Sequence, residues 1–137
     1  MNRLEIGAQA FTSRVITEDD IQTFALVAGD CNPVHIDREY ARNTIFSEPI
    51  AQGMLIGALI SGVLGTKLPG PGCIYISQDF KFLKPVKVND IITAFVEVIN
   101  IHAKASGKIV VLKTWCVNQF NDIVVSGEAV MKVFNDN

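Results

Sequence analysis

The sequence predicts an α+β fold in which a curved antiparallel sheet wraps around one apolar helix. Residues 49–66 carry no charge, and their apolar side chains surround the whole helical wheel, which is typical of a helix buried on most sides. After this segment the apolar spacing changes from a period of 3.6 to a period of 2 and keeps it to residue 134. Because helical patterns come first and a run of strands follows, the order favours α+β over an alternating α/β chain.

Length and composition limit the classes of protein to consider. The 137 residues suffice for one domain of ordinary size, and we expect a single domain over 1–137. The net charge is −2 and no block of like charge occurs, which argues against nucleic acid or an anionic membrane as partner. Hydrophobic residues make up 49% of the chain and charged residues 19%, which excludes disorder and favours a second subunit that covers apolar surface.

The sequence also predicts a cytoplasmic location. The first ten residues contain two charges and no apolar run, so they do not resemble a signal peptide. The three cysteines, Cys31, Cys73 and Cys116, are widely separated and predict reduced thiols. The uncharged segment approaches the length of a membrane span, but its strongly apolar part is only 54–64, so we interpret it as a buried helix.

The first elements follow from local signals. Residues 11–16 alternate weakly and predict a short edge strand. Thr17 followed by three acids predicts a helix N-terminus, and Gly29 predicts its end. A turn should then lead to a short helix over 37–42. The apolar positions of the first helix that share one face are Ile21, Phe24, Ala25, Val27 and Ala28.

The apolar helix should begin near Gln52 and Gly53 and end near residue 65. Gly57 and Gly62 each cost about 1 kcal/mol relative to Ala inside a helix, which predicts close approach of a neighbouring backbone. The breaker segment 68–72 separates this helix from the strands.

The second half of the chain predicts a strand followed by a three-stranded meander. Alternation over 74–82 predicts the first strand, which Pro85 ends. Short turn-forming segments separate the later runs, so these should pair as an antiparallel meander. The three later runs are 91–101, 109–118 and 123–134.

Asp30 and His35 are the first candidate site residues. They lie five residues apart in a loop whose backbone is restricted by Gly29 and Pro33. A carboxylate and an imidazole on one rigid turn can bind one water and serve as general base and general acid. The alternative is structural, with Asp30 capping a turn and His35 satisfied at the surface.

Gly53 is the second candidate, because it opens the apolar helix. Helix N-termini present unpaired N–H groups and a positive dipole end, and a glycine there lets a carbonyl oxygen approach closely. Such a site would polarise the carbonyl as an oxyanion hole does, with an ordinary helix start as the alternative for Gly53. Ser61, eight residues later, could face the same cavity or hydrogen-bond within its own helix.

Several other residues are weaker candidates for a functional site. Cys31 beside Asp30 is a poor nucleophile, since a neighbouring anion disfavours the thiolate. Asp30, His35 and Asp37 lack the second histidine and the spacing of a metal site, so we predict no metal. No glycine-rich nucleotide loop occurs. Lys67, Lys84 and Lys87 are candidates for contacting phosphates at a cavity mouth, with an ordinary solvated face as the alternative.

Four segments together resemble MaoC-like, (R)-specific enoyl-CoA hydratases, which share the hydratase-2 motif. The first is Phe24–His35 (FALVAGDCNPVH), which contains the motif. The others are Ile50–Leu55 (IAQGML), Leu68–Gly70 (LPG) and Gln78–Val86 (QDFKFLKPV). They occur in the order and spacing of the family, and the resemblance extends from about residue 11 to residue 134. Asn89–Asp90 departs from the usual Gly-Asp of the family at a turn.

The resemblance implies a hot-dog fold and a homodimer whose sheets join edge to edge, with higher oligomers open. It implies reversible addition of water to a trans-2-enoyl thioester of CoA or acyl-carrier protein, giving the (R)-3-hydroxyacyl product without a cofactor. Asp30 and His35 match the catalytic pair, and Gly53 matches the glycine whose N–H binds the thioester carbonyl. Ser61 matches a site-lining serine of polyhydroxyalkanoate-linked members, and Asn32 of the motif is a further substrate-binding candidate.

Two alternatives stay open from the sequence. The hot-dog fold also serves acyl thioesterases, which place an acid or nucleophile on or beside the central helix. Residues 53–66 contain no acid, although Glu48 lies just before them. A non-catalytic acyl-binding module would not need the Asp30 and His35 pair.

Overall fold

The computed structural model describes residues 3–135, which form four helices and a six-stranded antiparallel sheet. The helices are α1 (Glu18–Ala28), α2 (Pro33–Ile36), α3 (Arg38–Arg42) and α4 (Gly53–Thr66). The strands are β1 (Gln9–Val15), β2 (Ile74–Gln78), β3 (Lys81–Phe82), β4 (Ile91–Lys104), β5 (Gly107–Val117) and β6 (Ile123–Phe134). The sheet order is β1-β4-β5-β6-β2, with β3 also paired to β6.

The predicted meander is confirmed as β4, β5 and β6. Residues 93–104 of β4 pair with 107–117 of β5, and 107–117 pair in turn with 123–134 of β6. The weakly alternating segment at the N-terminus is β1, which pairs with β4 and lies at one edge of the sheet as predicted.

Helix α1 begins and ends as its sequence predicts. The Thr17 hydroxyl accepts from the Asp20 amide at 3.0 Å, and the Asp20 carboxylate accepts from the Thr17 amide at 3.1 Å. Gly29 ends the helix with a positive φ of 73°, which glycine adopts without steric cost. The predicted apolar face is only partly correct, because Ile21 and Ala25 are buried whereas Val27 is 82% exposed.

The core lies between one face of α4 and the concave face of the sheet. Side chains at one-turn intervals of α4 are fully buried against inward-facing strand residues. The main contributors are Ile56, Ile60, Val63, Leu64, Val96, Val98, Val110 and Leu112.

The opposite face of α4 is exposed, so the predicted burial on most sides is wrong for this chain by itself. Met54 is 55% exposed, and Ala58, Ser61 and Gly62 are also exposed. The reason is geometric, since the sheet of one chain curves around one side of the helix and leaves the other side uncovered.

The predicted strand over 74–82 is interrupted into β2 and β3. A register shift falls between Tyr75 and Ser77, which breaks the alternation of faces. Farther on, the chain passes so close to β6 that a Cβ on Gly127 would lie 1.9 Å from the Asp79 carbonyl oxygen. The pairing with β6 therefore continues across Asp79 only because residue 127 is a glycine.

The prediction that a neighbouring backbone approaches Gly57 and Gly62 is wrong. A Cβ on Gly57 would lie 2.7 Å from the Phe80 ring, so a side chain, not a backbone, packs there. Nothing lies within 4 Å of the corresponding position on Gly62. Within residues 3–135, no helix has both the length and the apolarity to cross a membrane.

Candidate active site

The turn after α1 positions Asp30 through its own backbone. The Asn32 amide donates to Asp30 Oδ1 at 3.3 Å, and Asn32 Oδ1 accepts from the Val34 amide at 3.3 Å. Asn32 is thus the N-cap of α2, whose first residue is Pro33. This one-turn helix was not predicted, because four residues are too short for a periodic apolar pattern.

His35 is held in one orientation by the segment that precedes α4. Its Nδ1 lies 2.7 Å from the Ile50 carbonyl oxygen. Because a carbonyl oxygen only accepts, Nδ1 carries the hydrogen, and the neutral ring keeps the lone pair on Nε2. The imidazole is 11% exposed, whereas the Asp30 side chain is 42% exposed.

The free nitrogen of His35 faces the carboxylate of Asp30. Nε2 and Asp30 Oδ2 are 3.9 Å apart, which is too long for a direct hydrogen bond. Both atoms accept hydrogen bonds in this tautomer, so one water can donate to both. The structure therefore brings the two predicted residues together in the arrangement that a shared water requires.

The segment that leads into α4 connects this pair to the helix N-terminus. The Ile50 amide donates to the Val34 carbonyl at 3.2 Å, and the Ala51 amide donates to the Val86 carbonyl at 2.7 Å. Residues 50 and 51 are thereby fixed between α2 and the chain that follows β3. Gly53 follows two residues later.

Gly53 is the first residue of α4, and its amide has no acceptor among residues 3–135. A Cβ at this position would lie 2.7 Å from two atoms of the Phe82 ring. An added side chain at position 53 would therefore force the Phe82 ring to move. The Phe82 contact was missed in the sequence, because 28 residues separate the two positions.

Gln52 is a second residue that sequence reasoning missed. Its side chain is 1% exposed, and its Nε2 donates to the Ile21 carbonyl at 3.0 Å. This hydrogen bond ties the start of α4 to α1, the helix that ends two residues before Asp30. A polar residue directly before an apolar helix was the available signal, but its distant partner could not be read from spacing.

A cavity of about 450 Å³ contains these groups. Most of its wall is apolar, and among the residues that line it Asp30 is the sole carboxylate and Lys84 the sole lysine or arginine. The lining residues are Asp30, His35, Phe46, Ile50, Ala51, Gln52, Gly53, Met54, Ile56, Phe82, Leu83, Lys84, Pro85, Val86 and Val125. An apolar pocket with a few convergent polar groups is typical of a small-molecule site.

Ser61 is not among the residues that line this cavity. It is exposed on α4. Burial is the main cause that raises the pKa of Tyr75 on β2 to about 12, and Ser61 opposes this shift. Ser61 and Asn32 stay predictions as substrate contacts.

The remaining residues that the sequence suggested as functional candidates do not line this cavity. Cys31 is exposed, and the imidazole of His102 is exposed near the end of β4. Lys67 Nζ donates to the Phe11 carbonyl beside a separate depression. Within the described ranges, no three His, Cys, Asp or Glu side chains lie close enough together to hold a metal ion.

The MaoC like domain family matches residues 4–127 of this chain. The chain belongs to this family. The predicted membership is therefore confirmed. A relative from Rhodospirillum rubrum, named (R)-specific enoyl-CoA hydratase, is 42% identical over 127 residues, covering 93% of this chain and 86% of the relative.

Solved structures of the family agree with the fold. The R-hydratase PhaJ1 from Pseudomonas aeruginosa superimposes with a TM-score of 0.91 at 44% identity, covering 97% of this chain and 84% of that one. The (R)-hydratase from A. caviae, described as involved in PHA biosynthesis, superimposes with a TM-score of 0.90 at 40% identity, covering 95% and 97%. The predicted hot-dog fold of this MaoC-like domain is confirmed.

Proposed function

We propose that this MaoC-like domain catalyses the reversible, (R)-specific hydration of trans-2-enoyl thioesters. The observation that carries the proposal is the pair formed by His35 Nε2 and Asp30 Oδ2, 3.9 Å apart at a cavity that also contains the open amide of Gly53. The names of the 40–42% identical relatives support the same reaction. Adding water to a carbon–carbon double bond transfers no net electrons, so the proposal invokes no cofactor.

The pair handles the protons of one water. The water donates to His35 Nε2 and to the Asp30 carboxylate, which directs its oxygen lone pair toward C3 of the enoyl group. As the O–C3 bond forms, the pair takes one proton from the water, and the electrons of the C2–C3 double bond move toward the thioester carbonyl. The pair then returns one proton to C2, which leaves the enzyme in its starting protonation state.

The helix N-terminus stabilises the charge that develops on the substrate. When the double bond is attacked, negative charge accumulates on the thioester oxygen. The unpaired N–H of Gly53 donates to that oxygen, and the positive end of the α4 dipole lies behind it. Because this amide is fixed by the helix, it needs no reorganisation as the charge develops.

The first test is hydration of crotonyl-CoA by the purified protein, measured as loss of enoyl-thioester absorbance. We expect rapid loss, with a product that is oxidised by an (R)-specific and not by an (S)-specific dehydrogenase. Release of a free thiol would indicate a thioesterase instead. Absence of reaction with short and long enoyl-CoA and with enoyl-acyl-carrier protein would contradict the proposal and favour a binding module.

We also propose that the protein is a homodimer formed through β2. This strand lies at the end of the sheet opposite β1, and two of its side chains, Ile74 and Ile76, are 55% and 54% exposed. An apolar edge strand without lysine or proline invites pairing with another strand, and a two-fold axis would pair β2 with itself. The exposed face of α4 would then have a second chain beside it.

Light scattering after size-exclusion chromatography tests the dimer. We expect a dimeric mass for the wild type and a monomeric mass for Ile76→Lys. Ile99→Lys is the matched control, because Ile99 is 40% exposed on β4, which does not adjoin the β2 edge of the sheet. A monomeric wild type, or dissociation by the control alone, would contradict pairing through β2.

The substrate carrier and the compartment stay predictions. CoA is the carrier expected first and acyl-carrier protein the alternative. The three cysteines of the described chain form no disulfide, which is compatible with the predicted cytoplasmic location.

A further inference from the structure

Lys84 is the one lysine or arginine that lines the catalytic cavity in the described part of the chain. The reaction proposed above involves no role for it. Its neighbours on the same wall are Phe82, Leu83, Pro85 and Val86, which are all apolar. An ammonium group on an otherwise apolar wall is a candidate for binding an anionic part of the substrate.

The backbone around Lys84 is anchored on both sides. The Leu83 amide donates to the Val124 carbonyl at 2.8 Å, and the Val86 carbonyl accepts from the Ala51 amide at 2.7 Å. Val86 comes two residues after Lys84, and two residues of chain span at most about 7 Å. Lys84 therefore lies within about 7 Å of Val86, whose carbonyl is hydrogen-bonded to the backbone that precedes α4. The side chain therefore projects from a backbone that is anchored beside the segment preceding α4.

Asp122 holds the Lys84 ammonium at the surface. Lys84 Nζ and Asp122 Oδ2 are 3.3 Å apart, with the two side chains 54% and 42% exposed. Asp122 is placed by Asn118, whose Oδ1 accepts from the Asp122 amide at 3.1 Å. An exposed ion pair of this kind contributes little to stability, so its charge remains available to a stronger anionic ligand.

We propose that Lys84 binds the phosphate at the end of the pantetheine arm of the thioester substrate, and that Asp122 competes with this phosphate for the ammonium. This inference rests on the proposed function. Both CoA and the prosthetic group of acyl-carrier protein carry a phosphate at this place, so the chemistry is common to the two carriers. A phosphate offers more charge and more acceptor oxygens than one carboxylate, so it should displace Asp122.

Other lysines near this wall lack the same placement. Lys81 is exposed on β3 and does not line the cavity, although it lies only three residues before Lys84. Lys87 lies opposite Ile50 in an isolated bridge and likewise does not line it. Lys81 is therefore a matched control for general electrostatic attraction.

The test is calorimetric binding of saturated butyryl thioesters, which cannot be hydrated. Butyryl-pantetheine, butyryl-phosphopantetheine and butyryl-CoA differ only beyond the end of the arm. For the wild type, we expect the phosphopantetheine thioester to bind about tenfold more tightly than the pantetheine thioester. In Lys84→Met this ratio should fall to about 2, whereas in Lys81→Met it should stay near the wild-type ratio.

Asp122→Asn tests the competition. Removing the carboxylate frees the ammonium, so butyryl-phosphopantetheine should bind about two- to threefold more tightly than to the wild type. A phosphate preference that survives in Lys84→Met, or that is lost equally in Lys81→Met, would overturn the proposal. Weaker phosphate binding in Asp122→Asn would overturn the competing role of Asp122.

The same preparations separate this inference from the proposed function. Hydration of crotonyl-CoA with no Lys84-dependent phosphate preference would leave the reaction standing and remove Lys84 from substrate binding. Lys84-dependent binding without hydration of any enoyl thioester would support the phosphate site and contradict the hydratase. If butyryl-CoA binds more tightly than butyryl-phosphopantetheine to the wild type but not to Lys84→Met, Lys84 also contacts the nucleotide part of CoA.

Discussion

The turn over 29–35 and the meander of β4, β5 and β6 are built in opposite ways. The turn is half exposed and depends on short local hydrogen bonds, such as those of Asn32 to Asp30 and Val34. The meander consists of long paired strands whose inward side chains, for example Val96 and Leu112, are fully buried. The polar side chains of the candidate site are concentrated in the turn, and the buried apolar side chains are concentrated in the meander.

This difference predicts that activity and stability can be changed separately. Substitutions in the turn remove groups that are proposed to contact substrate or water but bury little surface. Substitutions in the meander create cavities far from the reacting atoms. Helix α4 joins the two regions, because its first residue lines the cavity and its later residues pack on the sheet.

The largest expected effect comes from Asp30 and His35, the proposed catalytic pair. Asp30→Asn and His35→Gln should each lower kcat for crotonyl-CoA by at least about 100-fold, because each removes a base that holds the water. Thermal unfolding should change little. Cys31→Ser is the control in the same turn and should stay within about twofold of the wild-type kcat. Near-native turnover of either pair variant would show that the pair is not the site of proton transfer.

Leu112→Ala should show the reverse pattern. Leu112 is fully buried on β5, so truncation should lower the free energy of unfolding by about 2–4 kcal/mol in urea titrations at fixed protein concentration. The kcat of the folded fraction should be retained. Loss of kcat well below the unfolding transition would mean that the sheet and the site are not separable.

Gly53 and Gly57 of α4 both lie against an aromatic ring. Substituting each one therefore compares the site and the core within a single helix. An added Cβ would lie 2.7 Å from Phe82 at Gly53 and 2.7 Å from Phe80 at Gly57. Gly53→Ala should lower kcat/KM about tenfold, since Phe82 moves within the cavity wall. Gly57→Ala should instead lower stability by about 1 kcal/mol, because overpacking exceeds the gain in helix propensity. Equal loss of activity in both variants would contradict this division.

The smallest effect is a pH dependence at α1, away from the site. A side-chain hydrogen bond from Arg14 is the main cause that lowers the pKa of Asp20 from its ordinary value of 3.8. A carboxyl group whose pKa is lower in the folded state stabilises the fold above the unfolded pKa, and this contribution is lost as the pH falls through the folded pKa.

Asp20→Asn should therefore reduce stability by about 0.5–1 kcal/mol at neutral pH, since Arg14 is 55% exposed and screened by solvent. The difference from wild type should shrink below the ordinary pKa of Asp20. Urea titrations at neutral and acidic pH measure it. A difference that grows on acidification would contradict the direction of this pKa shift.

Elements with strong local signals were predicted well. The meander follows from alternation, and α1 follows from the Thr17 cap and from Gly29. The close approach of Asp79 to β6 was not predicted, because it depends on Gly127, 48 residues away. A contact that depends on a neighbouring strand leaves no periodic trace in the segment itself.

For the candidate site, the family motifs identified Asp30, His35 and Gly53 but not their arrangement. The tautomer of His35 depends on the Ile50 carbonyl, and a side chain at position 53 would displace Phe82. Lys84 lies within one of the motifs, but its ion pair with Asp122 of another loop could not be predicted from that motif. Each of these facts joins residues that are distant in sequence.

The sequence by itself determined the fold class, most of the element order, the family and the residue types available for chemistry, because periodicity, caps and motifs are local properties of the chain. The tertiary structure alone decided the 3.9 Å separation of His35 and Asp30, the exposed face of α4 and the position of Lys84 on the cavity wall. These depend on how distant segments pack, and small differences in packing change distances that chemistry requires to within a fraction of an ångström.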